Sequence, residues 1–71
     1  MRDPDAVPLT PRQIECLTLV AAGKTSAEIG HAMNIAARTV DAYIADACHR
    51  LGVRNRTHAV VKAMAMGWLT P

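Results

Sequence analysis

Arg38, Asp41, Ala42, Ala45, Asp46 and His49 follow one another at intervals of one and three residues. They lie in a run from Ala37 to Leu51 that contains no glycine or proline. On a helix these positions share one side. That side mixes hydrogen-bonding groups with short alanines, so it can lie close against another surface and exchange hydrogen bonds with it. The chemistry fits a helix in the major groove of double-stranded DNA. Arg38, Asp41, Ala42 and Ala45 are the candidates for base edges, an alanine being able to pack on a thymine methyl. The bland reading is a solvated face on which Ala42 and Ala45 merely favour the helix.

Such a face must be held by the rest of the chain. On its reverse, Val40, Ile44, Ala47 and Leu51 are spaced 4, 3 and 4 apart and form an apolar stripe. Upstream, Thr10-Pro11-Arg12-Gln13 is a helix start, with Thr10 as cap, Pro11 at the first helical position and Gln13 closing a capping box. Leu9 before the cap can act as a staple. This first helix is predicted to run to about Ala22, burying Cys16, Leu17, Val20 and Ala21, with Ile14 and Leu19 off the stripe. Gly23 ends it in a left-handed cap. Thr25-Ser26-Ala27-Glu28 is a second capping box, opening a short helix to about Met33 with Ile29 and Met33 inward. Gly30 and Ala32 permit close approach, and Asn34 suits a left-handed stop. About three residues then separate the second and third helices, which forces the sharp angle of a helix-turn-helix. Gly52 caps the third helix, Val53 tucks back and Asn55 caps a fourth over about 56–66. There Ala59, Ala63 and Met66 form one apolar stripe, and Val60 and Met64 the next, with Val61 and Ala65 beside them. A helix apolar over so much of its girth needs more than one neighbour, and a second copy of the chain is a candidate. Gly67 ends this helix, and Trp68-Leu69 packs back. The expectation is an all-α fold of four helices: a tail or linker end over residues 1–8, and one domain over 9–69.

Composition sets bounds on this reading. Seventy-one residues make one small domain, 51% hydrophobic but only 3% aromatic, so its core must be aliphatic. Residues 1–35 carry three basic against four acidic groups, and residues 36–71 five against two, so the halves hold −1 and +3. The positive half is the one that holds the candidate face, which fits a polyanion partner, although on charge alone an ordinary solvated surface fits equally well. Cys16 and Cys48 form no C-x-x-C motif and read as small core residues. No signal peptide or membrane-length apolar run is present, which points to a cytoplasmic protein that uses no membrane. No nucleophile, base and orienter occur together, and adjacent Cys48 and His49 diverge on a helix. Neither an enzyme nor a metal or other cofactor is expected.

Leu9 to Gln13, Gly23-Lys24-Thr25-Ser26-Ala27-Glu28-Ile29, Arg38-Thr39-Val40, and Leu51-Gly52-Val53-Arg54-Asn55-Arg56-Thr57 together resemble LuxR-type helix-turn-helix DNA-binding domains. The match spans about Leu9 to Leu69. Arg38 to Tyr43 with Asp46-Ala47-Cys48 is most similar to the quorum-sensing branch, in which the domain usually follows an acyl-homoserine-lactone-binding domain. The resemblance implies a bacterial transcription regulator acting as a dimer. Its third helix enters the major groove, its fourth makes the dimer contact, and RNA polymerase is a further partner. Three positions depart from the common pattern. Asp41 stands where many members have a basic residue, Tyr43 where many have His, and Ala36 where Ser or Thr often caps. Asp41 weakens general attraction to phosphate, but it can specify by accepting from a cytosine amino group. Ala36 leaves the third helix without a side-chain cap, at a typical cost of about 1 kcal/mol.

The remaining candidates are contacts that position rather than specify. Lys24, Thr25 and Ser26 stand at the start of the second helix, whose amides can hold a phosphate; their other role is capping. Thr39 can bond a phosphate or replace the missing cap. Tyr43 can reach a phosphate through its hydroxyl or half-bury its ring. Arg50, Arg54, Asn55, Arg56 and Thr57 make a polar patch from which one or two phosphate contacts are expected. His31, His49 and His58 are read as surface residues. Val60, Val61 and Met64 are the dimer candidates. A competing reading takes the domain as a protein-interaction and dimerisation module with weak or lost DNA binding, because Asp41 and Asp46 lie on the recognition face and the fourth helix is apolar over so much of its girth. A sigma-factor-like promoter-binding module shares the helix pair, but the ends of this chain argue against it.

Overall fold

Local capping chemistry starts three of the four helices. In the computed structural model, which describes residues 7–69, Thr10 accepts from the Gln13 amide while the Gln13 side chain accepts from the Thr10 amide. Thr25 and Glu28 repeat that exchange, and Asn55 accepts from the His58 amide. The resulting helices are α1 (Pro11–Ala21), α2 (Ser26–Met33), α3 (Ala37–Leu51) and α4 (Arg56–Ala65). No strand occurs among the described residues. Only α3 begins without a side-chain cap, at Ala36. Asn34 at φ 59° and Gly52 at φ 69° take the left-handed conformation that ends α2 and α3.

α3 holds the domain together by serving two apolar clusters. Its N-terminal half puts Val40 and Ile44 against Cys16, Ile29 and Met33. Its C-terminal half puts Ala47 and Leu51 against Leu9, Leu17, Ala59, Ala63 and Leu69. Cys48 packs on both. Fully burying an aliphatic side chain of this kind contributes roughly 1.5–3 kcal/mol. The expected stripe of α3 is therefore buried in full. Ile29 and Met33 face inward as predicted. Ile14 packs on the same cluster as Leu9, the arrangement of a hydrophobic staple.

Gly30 sets the angle between α2 and α3. A Cβ there would stand 2.5 Å from the Ile35 carbonyl oxygen and 3.3 Å from the Ala37 nitrogen. The turn thus folds directly onto the glycine, and the Ile35 amide donates to the Gly30 carbonyl at 2.9 Å. Two basic side chains finish helix ends from a distance: Arg12 Nη2 donates to the Met33 carbonyl at 3.4 Å, and Lys62 Nζ to the Leu51 carbonyl at 2.7 Å.

Several expectations need correction. Ala21 is exposed and Val20 half-buried; the third buried position of α1 is Gln13. Leu19 and Ile14, off the stripe and open to either exposure or a second surface, take the second course: they are half-buried and packed against the clusters. Met66 is not in the core. α4 ends at Ala65, Met66 becomes its cap at 56% exposure, and Leu69 takes the buried place with Trp68 half-buried beside it. The expected tail over 1–8 lies outside the described residues for 1–6. Val7 and Pro8 belong to no helix, but the Pro8 carbonyl accepts from Arg50 Nη1 at 3.2 Å.

Candidate nucleic-acid interface

Because Val40, Ile44, Ala47 and Leu51 are turned into the core, helical geometry turns the opposite side of α3 outward. Arg38, Asp41, Ala42, Ala45, Asp46 and His49 are all exposed at the surface. Arg38 has no hydrogen-bond or ion-pair partner among the described residues. Beside it, Ala42 and Ala45 leave low ground that a large partner can approach. Tyr43 half-buries its ring against the cluster of Cys16 and Ile29.

The two acids on this face are not bare. Asp41 Oδ1 accepts from the Ser26 hydroxyl and from Arg56 Nη2 at 3.1 Å, while Arg56 Nη1 donates to Ser26 Oγ at 3.0 Å. The ring so formed joins the first residue of α2, the α3 face and the first residue of α4. The Ser26 hydroxyl and then Arg56 hold the Asp41 carboxyl below the usual carboxylate range. Asp46 Oδ2 accepts from Arg50 Nε at 2.7 Å and from the Gln13 side-chain amide. Arg50 first, then Gln13, depress its pKa.

Gln13 is the functional residue that sequence reasoning missed. It is 2% exposed, and its side-chain oxygen serves the Thr10 amide while its nitrogen serves Asp46. It thereby pins the start of α1 to the solvent side of α3. The capping box signalled its oxygen, but nothing local signalled a partner 33 residues away.

The phosphate candidates separate into two groups. Lys24 and Arg54 are exposed with no described partner. Thr25 is engaged in capping, and Thr39 is half-buried without supplying the missing cap of α3. Ser26, Arg50 and Arg56 already donate to acceptors inside the fold. On α4, Val61 is 58% and Met64 38% exposed, while Val60 is half-buried. His31 and His58 are exposed. Cys16 is buried with Sγ 3.5 Å from Met33 Sδ, and Cys48 is half-buried; burial pushes both thiols up, away from the reactive thiolate.

Known proteins are similar to this chain in sequence and in fold. The sequence pattern of the GerE family, described as bacterial regulatory proteins of the luxR family, matches residues 7–63. The transcriptional activator protein VanR of Vibrio anguillarum is 41% identical over 63 residues, 89% of this chain and 26% of that protein. The quorum sensing-dependent transcriptional regulator VjbR of Brucella abortus is 44% identical over 59 residues, 83% of this chain and 23% of its own length. The chain thus spans about a quarter of the length of these relatives. The solved structure of the transcription factor GerE superposes with a TM-score of 0.87 at 26% identity, covering 92% of this chain and 97% of that one.

Proposed function

This chain belongs to the luxR family of bacterial regulatory proteins, and on that footing we propose that its helix-turn-helix DNA-binding domain lays α3 in the major groove of double-stranded DNA. The observation that carries the proposal is the outward ground of Arg38, Ala42 and Ala45, without partners among the described residues, on a helix whose other side is taken up by the core. Arg38, Asp41, Ala42 and Ala45 read base edges. Lys24 and Arg54 are the principal phosphate contacts, supported by Thr25, Thr39 and Tyr43. Each phosphate neutralised releases counterions, so affinity falls steeply with salt. A gel-shift titration against genomic fragments at two salt concentrations tests this. The expected result is one or a few preferred fragments whose binding weakens with salt; uniform binding to all fragments would refute sequence reading.

The domain works as a homodimer through Val60, Val61 and Met64 of α4. Two symmetric copies set their α3 helices about 34 Å apart, one turn of the duplex. Met64→Glu is expected to lower the sedimenting mass at concentrations where the parent chain is dimeric; an unchanged mass would assign the contact elsewhere. A cytoplasmic location accords with this reading, and among the described residues no helix is long and apolar enough to cross a membrane. RNA polymerase as a partner rests on the activator name of VanR, and a quorum-sensing context on that of VjbR. The interaction-module reading leans on the two acids of the face and on the apolar girth of α4; Asp41 and Asp46 each sit in an ion pair with arginine, which weakens the first ground and leaves the second.

A further inference from the structure

We propose that Ser26 and Arg56 are positioning residues for a base-reading carboxylate rather than grips on phosphate, and that the Ser26–Asp41–Arg56 ring selects cytosine. The inference rests on the major-groove placement of α3 and names what one part of that face recognises.

Three observations carry it. First, both donors converge on one oxygen of Asp41, Oδ1, and no described residue donates to Oδ2. The carboxylate is therefore held in one orientation with one acceptor left for a partner. Ordering that side chain, which binding would otherwise have to do, is already done in the free protein. Second, the ring draws on three helices, and Arg56 is half-buried. Two of its five N–H donors are committed to Ser26 and Asp41, so any phosphate contact that required the guanidinium to turn would break both bonds. Third, Asp41 shares its face with Arg38 three residues before it and Ala45 four residues after it. It lies within the candidate reading surface, not at its rim.

Charge and base chemistry then fix the ligand. An isolated carboxylate would be repelled by the phosphates, but paired with Arg56 it adds no net charge. An ionised carboxylate only accepts. In the major groove the base donors are the cytosine N4 and adenine N6 amino groups. Adenine sets its acceptor N7 beside that donor, and thymine and guanine present only acceptors to a hydrogen-bonding group. Cytosine alone offers a donor with no adjoining acceptor on the same base.

The experiment is selection of bound duplexes from a random pool by the full chain and by Asp41→Asn, Asp41→Ala, Arg56→Gln and Arg56→Lys, with thermal unfolding of each variant followed in parallel. The parent chain should prefer cytosine over thymine at one operator position by at least about fivefold, the lower end of what a wrong base costs. Asp41→Asn should move that position toward adenine, and Asp41→Ala should make it indifferent while other positions keep their preference. Arg56→Gln should relax the same position without changing the slope of affinity against salt, and Arg56→Lys should restore part of the preference. A pool from Asp41→Ala and Asp41→Asn identical to the parent's at every position overturns the inference while leaving DNA binding intact. So does an Arg56→Gln variant that weakens all sequences evenly and lowers the salt slope by about one, the mark of a lost phosphate contact. A parent chain that selects no sequence removes the major-groove reading itself, and this inference with it.

Discussion

α2 and α4 are both short helices started by a side-chain cap, and both pack on α3, yet they bury different things. α2 turns its large apolar side chains inward: Ile29 and Met33 fill one cluster, and Gly30 lets the following turn settle against it. α4 fully buries only alanines, Ala59 and Ala63, and leaves Val61 and Met64, with Met66 at its cap, in solvent. An alanine contributes little area, so α4 is held by close approach, by Lys62 on the end of α3 and by Leu69 returning over it. The flank that sets the angle of α3 is therefore finished within the chain. The other flank still has apolar surface to bury, which is why the dimer proposal falls on α4.

That contrast can be tested by substitutions of decreasing consequence, each measured by urea unfolding. Ile29→Ala should cost about 2–5 kcal/mol, since it empties a fully buried site. Gly30→Ala should cost about 1–3 kcal/mol, because the atom in its way is a backbone carbonyl that cannot swing aside. Thr25→Ala and Asn55→Ala should each cost about 1 kcal/mol, with Thr25 the larger because Glu28 reciprocates its cap and no such return bond is seen at Asn55. Val61→Ala should change stability by less than about 0.5 kcal/mol at concentrations where the chain is monomeric. A loss at Val61 comparable to that at Ile29 would mean that α4 belongs to the chain's own core no less than α2 does.

What was legible in the sequence was what is local. The Thr10–Gln13 and Thr25–Glu28 boxes, the left-handed Asn34 and Gly52, and the stripe from Val40 to Leu51 each follow from contacts within a few residues, and each is found where expected. The exposed side of α3 was legible for the same reason, as the complement of its buried one. The partners of that side were not. Asp41 meets Ser26 and Arg56 fifteen residues away in either direction, and periodicity carries no record of such meetings. Arg50 and Arg56 consequently looked like free cations in the chain and are internal donors in the fold. Met66 was misplaced because apolar spacing carries on to the cap position, one residue beyond the end of α4 at Ala65 and just before Gly67 turns the backbone at φ 78°.

α3 divides its buried stripe between two clusters, Val40 and Ile44 in one and Ala47 and Leu51 in the other. Each residue step around a helix is about 100°, so even a modest swivel would drag all four side chains out of register and open both clusters at once. A domain built this way has no means of turning α3 on its own. Any outside influence on that helix must therefore act on the whole domain as freight, shifting the piece entire.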